Sequence, residues 1–217
     1  MSAPIAAATL QAALLGAISN ILAQAITAYR KDLPLEVDWI PVFQFTLFNL
    51  INTPPNVLWQ EFLESTFPAY VSPPKFAQPS EKTAAAPPPP PQFSVRNTIS
   101  KFFIDQTLGA IYNTLAFSLY VHALKAAMLG APRITHLNKA ISYWTSPNTI
   151  NLNRVDPRAV WDAALEDFWP LVTAGWKLWP AVSLVNFSLV KTVQMRALIG
   201  SVAGLVWGVY MSLVAAN

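Results

Sequence analysis

The sequence predicts an all-α fold, a polytopic transmembrane helical bundle, and three observations lead there. Only 12% of the chain is charged, against about a quarter in ordinary soluble domains, while 53% is hydrophobic and the mean hydropathy is +0.37. Long stretches run without a formal charge: Pro4–Tyr29, Ile40–Gln60, Gln106–Leu124 and Ala197–Asn217. Tryptophans mark the borders of several apolar segments, as at Trp39, Trp59, Trp176 and Trp179, the position indoles favour between lipid and water.

Pro4–Tyr29 opens in a run of alanines, with Pro4 suited to a first helical turn. Arg30 and Lys31 can anchor its far end at the headgroups. Ala12, Gly16, Asn20, Gln24 and Ala28 recur at i+4, so one side of this helix is small and polar and suits a bundle interior. Ile40–Gln60 is the second span, with Asn49 and Asn52 as its amides. Pro54-Pro55 removes two backbone donors there and is expected to kink or interrupt the helix.

Residues 61–101 read as a proline-rich, flexible loop within a single 1–217 membrane domain. Nine prolines fall between Pro68 and Pro91, favouring extended polyproline II or no fixed structure. Gln106–Leu124 is the third span and carries Gln106 and Asn113. Asp105 at its mouth is costly in lipid unless paired or wet, which gives it either a functional role or that of a helix-start acid. From Pro157, Val160-Trp161, Ala164-Leu165 and Phe168-Trp169 alternate with Asp162, Glu166 and Asp167, the pattern of an amphipathic helix lying at the interface and ended or bent at Pro170.

The fourth span is the C-terminal region Trp179–Asn217. Its first apolar part, up to about Val190 and containing Asn186, leaves a fifth crossing open. In its second part Gly200, Gly204, Gly208 and Ser212 recur every fourth residue and form a face on which another backbone can come close. The expected architecture is therefore four spans plus an interfacial amphipathic helix.

Catalytic chemistry is not indicated. With no cysteine there is no thiol nucleophile and no disulfide, and His122 and His136 are too few for a histidine metal cage. Seven glycines, clustered in apolar sequence, supply no phosphate loop. The 14 basic residues are dispersed rather than clustered along a nucleic-acid footprint. The expectation is a non-enzyme without cofactor or metal, whose partners are the lipid bilayer, small solutes and a second copy of itself rather than nucleic acid.

Trp176, Trp179-Pro180, Asn186-Phe187, Leu189-Val190, Arg196, Trp207, Tyr210 and Ser212, with Gly16, Gln24, Lys101 and Asp105-Gln106 earlier, form a pattern that resembles the membrane-protein family of Mpv-seventeen and the twenty-two-kilodalton peroxisomal membrane protein. The likeness covers most of the chain outside the proline-rich loop. It departs where the family's first-helix acid is Asn20, its preceding glycine is Ser19, its proline after the valine is Lys191 and another of its prolines is Ile111. The resemblance implies a small helical protein of peroxisomal or inner mitochondrial membranes, a pore for small metabolites or a factor in organelle biogenesis. The expected location is the peroxisomal membrane, since no Arg-rich amphipathic leader is present, with the mitochondrial inner membrane as the alternative.

Independently of that likeness, every predicted span carries amides: Asn20 and Gln24, Asn49 and Asn52, Gln106 and Asn113, and Asn186. Converging, they would line a wet, weakly selective path; apart, they would be interhelical glue at about 0.6 kcal/mol each. Asp105 and Arg196 are the candidate gate charges of such a channel. The rival reading is a membrane scaffold that recruits partners through the proline-rich loop.

Overall fold

The computed structural model describes residues 3–72, 90–147 and 149–215. Helix α1 (Ala3–Arg30) covers the first charge-free stretch. It ends where Asp32 turns left-handed at φ 52° and Leu33 N–H returns 2.9 Å to the Ala28 carbonyl, a closure that satisfies a terminal acceptor. Helix α2 (Trp39–Thr66) starts at Asp38, whose carboxylate accepts from Ile40 N–H. The expected interruption at Pro54-Pro55 does not occur, because both prolines lie inside one continuous helix. Their missing donors fall opposite the carbonyls of Leu50 and Ile51, residues on the exposed side where no tight packing is lost.

Structure reaches well into the 61–101 segment. Helix α2 continues to Thr66, and strands β1 (Tyr70–Val71) and β2 (Gln92–Phe93) pair antiparallel with Tyr70 opposite Phe93. Most of the prolines lie between positions 73 and 89, outside the described residues. Ser94 then caps α3 (Val95–Ile104), which passes through one π-helical turn, Asp105–Gly109, into α4 (Ala110–Ala127). Helix α5 (Leu137–Thr145) is short. Asp156 caps α6 (Pro157–Gly175), whose Pro157 sits at the first helical position and whose Pro170 is carried without ending the helix. Helices α7 (Trp179–Ser188) and α8 (Val193–Ala215) complete the chain.

Side-chain contacts fix the directions. Gln24 of α1 meets Asp38, whereas a Cβ at Gly16 would touch Asn49, so α1 and α2 are antiparallel. Tyr120, Asn113 and Lys101 meet Gln44, Asn52 and Glu64, which sets α3 and α4 antiparallel to α2. Helix α8 enters beside Glu64 through Arg196 and reaches Ser19 with Leu205, running parallel to α1. The amphipathic segment expected at the interface is α6, and it packs along α4, where Asp167 meets Ser118 and His122. The apolar stretch before Val190 forms only the ten-residue α7, about 15 Å long and too short to cross a hydrocarbon core unaided.

The interior of α1 is small and polar while its outside is bulky and apolar. Ala8, Ala12, Ala13, Ser19, Asn20 and Ala23 are buried, whereas Leu10 and Leu14 are 67% and 63% exposed. Water would reverse that arrangement; lipid favours it, since close backbone packing and not apolar burial holds membrane helices together. Helix α1 and the Val193–Tyr210 part of α8 are each long and apolar enough to cross a membrane.

Candidate functional site

Three polar centres lie among these apolar helices. The first joins α2, α3, α7 and α8. Glu64, past the charge-free stretch that ends at Gln60, accepts from Lys101 Nζ at 2.7 Å and from an Arg196 guanidinium nitrogen. Lys101 is fully buried and Arg196 is 2% exposed. The Phe187 ring lies beneath both cations, 5.3 Å from Lys101 Nζ and 5.7 Å from the Arg196 guanidinium. Arg196 Nε also donates to the carbonyls of Asn186 and Val190, at 3.1 and 3.0 Å. Burial works to raise the Glu64 carboxyl, but donation from Ala69 N–H, Lys101 and Arg196 outweighs it and holds the group at about 2. Burial lowers the Lys101 ammonium, with Glu64 opposing.

The second centre lies close by along α7. Asp105 accepts from Trp59 Nε1 at 3.1 Å, from Gln60 and Gln106 amides at 3.3 Å each, and from the Ser183 hydroxyl. These four donors are all neutral. The π turn presents this carboxylate inward, and such turns recur at functional positions. Gly109 allows a close approach, since a Cβ there would stand 3.1 Å from both the Asp105 carboxylate and Trp59 Nε1 and force them to shift. The outer oxygens of Gln60 and Gln106 are buried without a partner among the described residues.

The third is a cavity of about 300 Å³ at the opposite end, between the last turns of α1, the 31–36 connector and Arg133. Asn20, Ala23 and Gln24 form its inner end, and Lys31, Glu36 and Arg133 lie around it. Gln24 is clamped, since its Oε1 accepts Asp38 N–H at 2.7 Å and its Nε2 donates to the Asp38 carbonyl and to Asn20 Oδ1.

The remaining amides divide between interhelical and local bonds. Asn52 donates to Asn113 across α2 and α4 at 3.2 Å, and Asn113 donates to the Gly109 carbonyl. Asn49 donates to the Phe45 carbonyl in its own helix, against Gly16 of α1. Asn186 donates to the Arg196 carbonyl, with its Oδ1 buried and unpartnered. Gly208 packs against Ser19, and a Cβ there would overlap that hydroxyl, whereas Gly200 and Gly204 would meet nothing within 4 Å. The Ser212 side chain lies outside the described residues.

Asp105 and Arg196 therefore belong to one end of the bundle, each fully engaged. Glu64 was not legible as a site residue, because it sits in the segment whose prolines announce a loop. Lys101 and Phe187 carry the family likeness, but nothing in their spacing shows that they share a carboxylate or a ring face.

The C-terminal part that supplies Asn186, Phe187 and Arg196 is also where the likeness to known proteins is densest: residues 144–212 match the Mpv17 / PMP22 family. A Dictyostelium discoideum protein named PXMP2/4 family protein 3 is 25% identical over 99% of this chain and 85% of its own length. Residues 144–212, about a third of the chain, carry the Mpv17 / PMP22 family pattern. Two fungal proteins named Protein SYM1 align over shorter stretches. That of Yarrowia lipolytica is 33% identical over 28% of this chain and 30% of its own length, and that of Gibberella zeae is 38% identical over 21% and 25%. No solved structure matches.

Proposed function

We propose that this chain is a member of the Mpv17 / PMP22 family and a polytopic channel, weakly selective for small hydrophilic metabolites, and not an enzyme. The observation that carries the reading is the cavity at the end of α1. There Asn20, itself buried, and Gln24 line a space of about 300 Å³ at the end of an apolar helix. Amides in an apolar helix are worth their cost when they replace the hydration of a passing solute. Further in, the Asn52–Asn113 pair and the four-donor Asp105 centre supply polar groups towards the other end. Four or five helical passes, with α6 and α7 together making one of them, are the proposed membrane topology. A second copy is the proposed occupant of the α8 face at Gly200 and Gly204, which this chain leaves open.

The peroxisomal membrane is the proposed location, with the mitochondrial inner membrane as the alternative; a fluorescent tag beside organelle markers distinguishes them. For the channel, purified protein in liposomes should release small solutes and retain a large dextran. Vesicles that stay tight to both at high protein density would end the reading.

A further inference from the structure

We propose that the α1-end cavity is an oxyanion site, binding the carboxylate or phosphate of a small metabolite or of a lipid headgroup. The inference deepens the channel reading and rests on the cavity being open to solutes. Its charge is asymmetric, because Lys31 and Arg133 face it against the single carboxylate of Glu36. Glu36 is partly spent, since its carboxylate stands 3.6 Å from Arg133 and its carbonyl accepts from the same guanidinium at 3.1 Å. Asp38, beyond the lining residues, accepts the Ile40 and Ile134 N–H groups through Oδ1. Lys31 has no carboxylate partner among the described residues.

The inner end adds a hydrogen-bond donor. Asn20 is 93% buried by its 7% exposure, and its Oδ1 is taken by Gln24. Its Nδ2 donates to no described residue and is not among the buried orphan atoms, so it is a donor presented to the cavity. Both Gln24 amide atoms are committed to Asp38 and Asn20 and compete for nothing. The two cations match an oxyanion, which accepts from both. Asn20, eleven residues from Lys31 and so about 16 Å along the helix, offers its donor at the far end of the space. At about 300 Å³ the space is at the small end of ligand pockets, the size of a compact acid or a phosphate group.

Inorganic phosphate is the soluble probe, titrated against the full chain in a neutral detergent with thermal stabilisation as the readout. The second arm compares bilayers of phosphatidylcholine alone with bilayers that also contain phosphatidylglycerol. Lys31→Ala and Arg133→Ala should each weaken the response roughly fivefold, as expected for exposed charge pairs. Asn20→Asp keeps the acceptor that Gln24 needs but replaces the donor by a carboxylate, and should weaken the response roughly tenfold or more. A phosphate response lost in these variants assigns a soluble anion; a response only to phosphatidylglycerol, lost in the same variants, assigns a headgroup. Either carries the proposal. No response in either arm, or one that the variants retain, overturns it. Because the readout is binding, tight liposomes would refute the channel and leave this site standing, while solute release without anion binding would do the reverse.

Discussion

Glu64→Gln removes the one carboxylate that faces two buried cations. With Glu64 in place the centre holds two positive charges against one negative; without it, fully buried Lys101 and nearly buried Arg196 face each other with only the Phe187 ring between them. Deleting one partner of a buried pair costs about 3–5 kcal/mol. Glu64 is itself 29% exposed, so water reaching the site makes the lower figure, about 3 kcal/mol, the better expectation. At roughly 2–4 °C per kcal/mol for a chain this long, the midpoint in detergent should fall by about 6–12 °C. Lys101→Met is the control, because it leaves Glu64 paired with Arg196 and removes a cation whose burial is unfavourable. It should cost far less than Glu64→Gln. Heat-induced loss of the monodisperse peak on size exclusion is the assay. A Glu64→Gln protein as stable as wild type, or no worse than Lys101→Met, would refute the charge balance argued for this centre.

Further outcomes follow from the same geometry. Glu64 titrates at about 2 when folded against an ordinary 4.5, so its contribution is fully present above the ordinary value and is lost as pH falls from about 4.5 towards 2. Wild type should therefore lose stability over that range more steeply than Glu64→Gln, as a pair of pH-dependent melts would show. Gly208→Leu should disrupt the α1–α8 approach and cost about 1–3 kcal/mol by overpacking. Gly204→Leu should leave monomer stability unchanged and reduce only self-association seen by crosslinking. Asp105→Leu strands Trp59, Gln60, Gln106 and Ser183 donors and should destabilise by about 2–4 kcal/mol, read from the same melts.

The helices were legible in the charge-free stretches, which became α1, α2, α4 and α8 within about six residues, and in the i+4 row of α1 Ala12 is buried and Gly16 meets Asn49 of α2. Prolines misled. Pro54-Pro55 and Pro170 are carried inside helices, because propensity is a local term and the packed surroundings override it. Helix α6 turns Asp167 towards α4 and leaves Trp161, Leu165 and Trp169 exposed, an orientation that its periodicity alone does not report. The site was only half legible for a similar reason. Asp105 stands out in sequence as an acid at a helix mouth, but its bond to Ser183 and the joining of Glu64 to Lys101 and Arg196 span distances in chain that no spacing reports.

Conductance across a planar bilayer is the most direct test of whether the amides of α1 serve a passage. Purified wild-type protein should open discrete conductances, and Asn20→Leu, which fills the cavity's inner end, should reduce them while the protein still inserts. A bilayer that stays electrically silent with inserted wild-type protein, or an Asn20→Leu variant that conducts like the parent, would contradict the account.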